Sequence, residues 1–332
     1  MRAYLRKQAF TLWLLAAVGL AIIWPDAAAK GGILRAEFTT QVGVWIIFFM
    51  QGLSLPTSEL VVGYRPKRLH VFILSWNFLW YPLVTGVVLL PLSIFLPDSM
   101  RLGFWLLAIL PTTVAASIAF TAISGGSTSS AIFSSVLSNM SAVFIVPLVA
   151  VAYLATEMSV SIPVGPLFLK LAWLIIVPLI LGQIVRALAA GKAAAVSRAA
   201  RPVSAGIILF IVHAAFADSV ASGFLGELPV GSLVAVVVGA ISLLGVASVL
   251  IWYSLGLIRV EPRFRIAGFF CASHKSLATG LPLAASILAV APDAVDPAAV
   301  LIPLMCFHPL QLLLAGWVSG RFGAHSDGQA RT

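Results

Sequence analysis

Lys275 stands in the middle of Gly268-Phe-Phe-Cys-Ala-Ser-His-Lys-Ser-Leu-Ala-Thr-Gly-Leu-Pro282, a stretch otherwise built mostly of apolar and small residues. It lies between the basic run 259–265 and the apolar run 283–291. A charge at bilayer depth costs at least about 2.5 kcal/mol, so an ionisable side chain there marks a functional position by default. His274, Ser276 and Thr279 put further polar groups beside it, and Gly268, Gly280 and Pro282 weaken a continuous helix. An interrupted helix carrying polar groups at mid-depth is how a membrane protein builds a binding site inside the bilayer.

A second polar stretch, Pro111-Thr-Thr-Val-Ala-Ala-Ser-Ile-Ala-Phe-Thr-Ala-Ile-Ser-Gly-Gly-Ser-Thr-Ser-Ser130, is its counterpart in the first half. Thr113, Ser117, Thr121 and Ser124 recur at helical steps and share one face. After Gly125-Gly126, Ser127, Ser130, Ser134 and Ser138 repeat the stripe, beside Thr128, Ser135 and Asn139. Two readings stand side by side. Small hydroxyl residues are ordinary at contacts between membrane helices, whereas two stripes flanking a Gly-Gly break opposite a lysine would line a cavity. Asn77, with Pro82 after it, is either an interhelical hydrogen bond or a ligand. His308 and Gln311 share a helix face; an imidazole titrates near neutrality, so His308 is a candidate proton carrier as well as a structural partner. His213 and Asp218, five residues apart, do not share a face and read as structural or interfacial.

These residues need elements to hold them, and the bulk composition says which. The chain has 332 residues, 61% hydrophobic and 9% charged, where soluble domains carry roughly 25% charged residues. It is a polytopic, all-α membrane protein. The net charge of +9 does not point to nucleic acid, because the basic residues sit in short loops between apolar runs. Cys271 and Cys306 lie far apart in apolar segments, which excludes a disulfide framework or a metal cluster.

Ten runs approach the length of a span: 9–25, 38–56, 69–96, 101–124, 128–154, 164–189, 203–224, 229–257, 266–290 and 298–320. The start, Met1–Lys7 followed by Phe10–Trp24, resembles a signal peptide, but the length of the run and the nine runs after it favour a first span. With the N-terminus inside, fifteen Lys and Arg fall in inner segments and three outside, Lys30, Arg35 and Arg101; Lys170 and Lys275 lie within spans. That asymmetry places both termini in the cytoplasm, in a multi-pass protein of the cell (inner or plasma) membrane. Ten spans divide into 1–160 and 161–332, two five-helix repeats inverted relative to one another, with the seam at Glu157–Gly165. In that division span 4 corresponds to span 9, and both are irregular, with Pro111 and Gly125-Gly126 in one and Gly268, Gly280 and Pro282 in the other.

Gly52-Leu-Ser-Leu, Asn77-Phe-Leu-Trp-Tyr-Pro82, Pro111-Thr-Thr-Val-Ala, Gly125-Gly126 with its Ser/Thr run, and Ser138-Asn139 through Pro147 resemble the bile acid:sodium symporter superfamily. Cys271-Ala-Ser-His-Lys-Ser-Leu-Ala-Thr-Gly280 and His308-Pro-Leu-Gln311 narrow the resemblance to its SBF-like branch. The resemblance covers essentially the whole chain. It implies ten helices in two inverted repeats, a panel of helices 1, 2, 6 and 7, and a core of helices 3–5 and 8–10 in which discontinuous helices 4 and 9 cross. By position, the sodium-site residues of the family fall on Asn77, Ala116 and Ser117, Ala131 and Ser135, and Phe270–His274. Two departures stand out: Phe270 or Cys271 replaces the helix-9 acid of well-known symporters, and Gly126-Ser127 replaces glycine–asparagine.

Sodium needs several strong oxygen ligands, and here the carboxylate is gone while Lys275 adds a like charge. At an effective dielectric near 20, a charge 4 Å away repels by about 4 kcal/mol. The residues therefore argue against sodium beside a protonated Lys275, and no metal or cofactor is expected. Instead the ammonium takes the place of the coupling cation, bonding helix-4 carbonyls and Ser/Thr hydroxyls. A buried amine that gives up its proton would admit proton coupling. Alternatively Lys275 draws the anionic head of a substrate, together with the positive end of a half-helix, or only neutralises carbonyls at the break. The expectation is a secondary transporter of small organic anions working by alternating access in the lipid bilayer. An intramembrane enzyme lacks its machinery, since the spans hold almost no Asp or Glu and the histidines are scattered. A regulator or channel of the same fold is the alternative. Substrate identity and oligomeric state are not written in the sequence.

Overall fold

The computed structural model describes residues 2–54, 63–157, 164–188, 193–289, 291 and 295–329. Among them the chain is helical throughout, with no strand beyond one isolated bridge. Helices α1 (Arg2–Ile23) and α2 (Ala36–Ser54) are followed by α3 (Lys67–Ser75), which passes through a π-helical turn (Trp76–Trp80) into α4 (Tyr81–Leu89). Next come α5 (Asp98–Ala108), α6 (Val114–Ile123), α7 (Thr128–Glu157), α8 (Val164–Leu188) and α9 (Ala193–Ala221). The short α10 (Phe224–Glu227) leads to α11 (Val230–Leu257), α12 (Pro262–Ser273), α13 (Leu277–Leu288) and α14 (Pro297–Gln329).

Among the described residues, six stretches are long and apolar enough to cross a membrane: 67–95, 128–150, 169–188, 202–221, 230–257 and 297–322. Shorter apolar helices occupy 10–23, 114–123 and 277–288. The runs 101–124 and 266–290 are not single helices, because each is cut in two. The chain is a multi-pass membrane protein. The proposed seam at Glu157–Gly165 lies mostly outside the described residues.

Helices α1, α2, α8 and α9 pack on one another, as do α5, α11, α12 and α14; α13 touches both groups through α2, α8, α9 and α14. The tightest approach in the first group joins α2 and α8. A side chain on Gly52 would strike the carbonyl of Leu179, and one on Gly182 would strike that of Phe49. Small residues let membrane helices close to backbone contact in this way. Lys170, on α8, donates to the carbonyl of Ala289 at 3.0 Å and so caps the C-terminal end of α13, where the helix dipole is negative. His213, on α9, reaches the carbonyl of Ala17 on α1 at 3.2 Å, and Asp218 accepts the Lys30 backbone N–H at 3.1 Å. Both roles are structural.

Gly182→Val forces the α2–α8 contact apart. We expect a loss of about 2 kcal/mol from overpacking, read as a lower midpoint in thermal unfolding of the purified protein.

Candidate functional site

Both broken helices are cut where the chain runs extended. The first break follows from covalent chemistry. Pro111 has no N–H and disfavours helix at the residue before it, so α5 ends at Ala108 and α6 starts only at Val114. The second break carries no proline or glycine at its centre. His274 (φ −95°, ψ 127°) and Ser276 (φ −80°, ψ 107°) are extended, and Ser276 caps α13 by accepting the Thr279 N–H at 3.2 Å. Gly268, Gly280 and Pro282, expected to weaken this helix, lie inside α12 and α13. Gly280 is small for another reason: a Cβ there would collide with Leu110.

The two extended segments cross and bond to each other. Thr112 and Lys275 form an antiparallel bridge, the Ser276 N–H donates to the Pro111 carbonyl at 2.8 Å, and the Thr113 hydroxyl donates to the Lys275 carbonyl at 2.9 Å. The remaining backbone needs of Lys275 are met by Gln311 of α14. Its Oε1 accepts the Lys275 N–H and its Nε2 donates to the Lys275 carbonyl, each at 2.8 Å. One carboxamide thus replaces two lost helical hydrogen bonds.

The Lys275 side chain is 1% exposed and ends on oxygen. Its Nζ donates to the carbonyls of Asn77 (3.1 Å), Ala108 (2.8 Å) and Leu110 (3.0 Å) and lies 4.1 Å from the centre of the Tyr81 ring. Ala108 and Leu110 are carbonyls at the end of α5, without helical partners and at the negative end of its dipole. Asn77 belongs to the π-helical turn. All three ammonium donors are used, and all three acceptors are backbone carbonyls. The expected Ser/Thr hydroxyls are not among them.

Around this centre the hydroxyls and amides bind backbone and one another. Asn77 Nδ2 donates to Thr112 Oγ1 (2.8 Å) and Ser138 Oγ (3.0 Å), while Asn77 Oδ1 is buried without a partner. Thr112 Oγ1 donates to the Cys271 carbonyl at 2.5 Å. Asn139 Nδ2 donates to the carbonyls of Thr112 (2.9 Å) and Ser135 (2.8 Å), and its Oδ1 accepts from Thr279 at 2.9 Å. Gln51 of α2 reaches Thr279 Oγ1 at 3.2 Å. The structure therefore gathers Asn77, Thr113, Asn139, Lys275, Ser276, Thr279 and Gln311 into one network. Ser117 and Ser135 pair at 3.2 Å beside Cys271.

Other expected residues stand apart from the ammonium. His308 Nδ1 meets Gln311 Nε2 at 3.0 Å and lines an apolar cavity of about 470 Å³ with α1, α9 and α13. His274 contacts Ser273 Oγ at 3.1 Å and the rings of Phe120 and Phe270, and its Nε2 is buried without a partner. Thr121 Oγ1 is likewise buried and unpartnered. Ser127 and Thr128 lie at the α6–α7 turn, where the Ser127 N–H donates to the Arg263 carbonyl at 2.9 Å; they do not join the crossing. Tyr81, Thr112 and Gln51 were missed. Gln51 was findable as the amide that ends the apolar stretch 42–50, and Thr112 as the neighbour of Pro111. Tyr81 was not, because the π-helical turn sets the direction of its ring.

Two cavities flank the meeting of α2 with α13. One of about 330 Å³ is lined by Gln51 and Ser54 of α2, Ser204 of α9 and Thr279 near the start of α13. The other, of about 250 Å³, lies at the opposite end of α13 and is lined by Glu37, Gln41, Asp218, Lys30 and Ala289.

A multi-pass helical membrane protein whose two interrupted helices cross on a polar network has the build of a solute transporter rather than an enzyme. Residues 8–324 match the model of the SBF-like CPA transporter family (DUF4137). The chain belongs to that family. It is 31% identical to the Pseudomonas aeruginosa protein named Uncharacterized protein PA2026, over 97% of this chain and 94% of that protein. It is 29% identical to Sodium/bile acid cotransporter 7 of Danio rerio, over 96% of this chain and 97% of the relative. The mouse protein of that name is 28% identical over 93% of this chain and 90% of its own length.

If the Tyr81 ring shields the ammonium, Tyr81→Phe keeps most of the stability and Tyr81→Leu loses about 2 kcal/mol beyond it. Chemical or thermal unfolding of the two variants, compared on Lys275 and Lys275→Met backgrounds, checks this. The difference should shrink when the ammonium is gone.

Proposed function

We propose that the protein is a secondary transporter of small organic anions, working by alternating access, in which the Lys275 ammonium fills the place of a coupling cation. The observation that carries the reading is the shell of three backbone carbonyls on Nζ. That shell offers acceptors only, as a bound cation requires, and is matched to the protonated amine. No carboxylate belongs to it. A second cation beside the ammonium would be repelled, so transport does not draw on a sodium gradient. With every donor engaged and the side chain buried, Lys275 acts on the helix break and not on the head of the solute.

In this reading the ten spans form two inverted five-helix repeats, 1–160 and 161–332, with basic loops and both termini in the cytoplasm. The panel is α1, α2, α8 and α9; the core is α3–α7 with α11–α14. The matched breaks of α5–α6 and α12–α13 support the repeats, and the cavities on either side of the α2–α13 contact support access from alternate faces. Relatives named for sodium and bile acid support an anionic solute. The Gln51–Thr279 cavity, with polar and apolar walls, suits an amphipathic or small carboxylate.

Lys275→Ala empties the carbonyl shell. We expect uptake to fall at least about tenfold, the loss of one charge-assisted contact, measured in proteoliposomes with an anion chosen by thermal stabilisation across a panel. The wild type should unfold at the same temperature in sodium and in choline chloride, whereas Lys275→Ala should gain stability from added sodium or ammonium. A sodium-specific rise in the wild type, or full uptake by the alanine variant, defeats the reading.

A further inference from the structure

Where α11, α12 and α14 meet, one arginine is seated against aromatic rings. Arg263, in the first turn of α12, binds Glu261 at 2.9 Å, and Arg101 pairs with Asp98 elsewhere. Arg265 has no carboxylate partner among the described residues. Its guanidinium carbon lies 5.0 Å from the centre of the Trp252 ring on α11. One terminal nitrogen passes beside Gly256, where a Cβ would stand 3.8 Å from it. The Nε is buried and makes no hydrogen bond. Trp252 is itself stacked on Phe322 of α14, centroids 5.1 Å apart. Three helices therefore hold the guanidinium on an aromatic floor, with no carboxylate paired to it among the described residues.

The same helices α11 and α14 also carry exposed apolar side chains. Tyr253 and Leu257 of α11 are 73% and 81% exposed, and Trp317 of α14 is 57% exposed, with the Arg321 guanidinium 4.0 Å from its ring centre. In a membrane protein such a face borders acyl chains, and tryptophan with arginine marks the level of the headgroups. A ligand that fits both features needs an anionic oxygen cluster for Arg265 and hydrocarbon for the face below it. Arginine matches phosphate oxygens in paired geometry.

We propose that this corner of α11, α12 and α14 binds an anionic phospholipid, whose phosphate is anchored by Arg265 and whose chains lie along Tyr253, Leu257 and Trp317. The site is separate from the Lys275 crossing and does not depend on what the protein transports. Basic seats between membrane helices select anionic headgroups in this manner.

The test is titration of the full-length protein in detergent with dioleoylphosphatidylglycerol and with dioleoylphosphatidylcholine, read by thermal unfolding and by native mass spectrometry of bound lipid. The wild type should bind and be stabilised by the glycerol lipid in preference to the choline lipid. Arg265→Gln should weaken the anionic lipid about fivefold, and Trp252→Leu, which removes the aromatic floor while keeping the arginine, should do the same. Arg263→Gln, whose partner is Glu261, should keep the preference. The proposal is overturned if Arg265→Gln and Trp252→Leu retain the wild-type preference, or if both lipids bind the wild type equally. It is also overturned if soluble glycerol phosphate reproduces the whole effect, since the site would then take a free anion.

Discussion

The arrangement at the centre of this molecule depends on a cation that is part of the chain. An ammonium taken from water must recover its hydration from fixed oxygens, and here the oxygens come from backbone that two other elements leave free: the end of α5 and the π-helical turn after α3. The solution works in both directions. The lysine satisfies carbonyls that a broken helix would leave bare in an apolar interior, and those carbonyls solvate a charge that would otherwise be prohibitive there. Neither half is stable without the other, so the break in one helix and the charge on the other belong together.

The same logic extends outward through hydrogen bonds that join helices far apart in sequence. Gln311 replaces the helical partners of Lys275, Thr113 and Pro111 tie the first break to the second, and Asn139 links α7 to both. Half-helix α13 starts at this network and is capped by Ser276. Its other end is held by Lys170 from α8. Both lysines that lie within apolar runs thus end on backbone carbonyls. On the proposed mechanism, α13 is where events at the crossing meet the neighbouring helices, because it packs on α2, α8 and α9.

Family membership sets the class of protein but leaves the chemistry of this crossing to its own residues. Phe270 and Cys271, buried where the resemblance implies an acid, remove a negative charge; Lys275, a few residues on, supplies a positive one. The two changes act in the same direction. On the proposed reading they turn a site suited to a free cation into one that carries its own, so that sodium dependence does not follow from the relatives' names.

Composition and hydropathy determined the helical, multi-pass class, because so little charge leaves no other environment for the chain. The sequence also marked Lys275, Pro111 and Gln311 as out of place in apolar runs, since a polar group in hydrocarbon needs a partner whatever the fold. It misjudged where the second helix breaks: Gly268 and Gly280 are helical, and Gly280 is small to admit Leu110. For the hydroxyl stripes it left open helix packing or a cavity lining. Ser127 and Thr128 end up at a turn away from the crossing, and none of the stripe hydroxyls contacts the ammonium. The tertiary structure alone decided which oxygens Lys275 binds, because backbone carbonyls are the same in every residue and leave no trace in the sequence. Only the crossing of two chain segments, and a π-helical turn that aims Asn77 and Tyr81 at one point, brings three of them and a ring within reach of one amine.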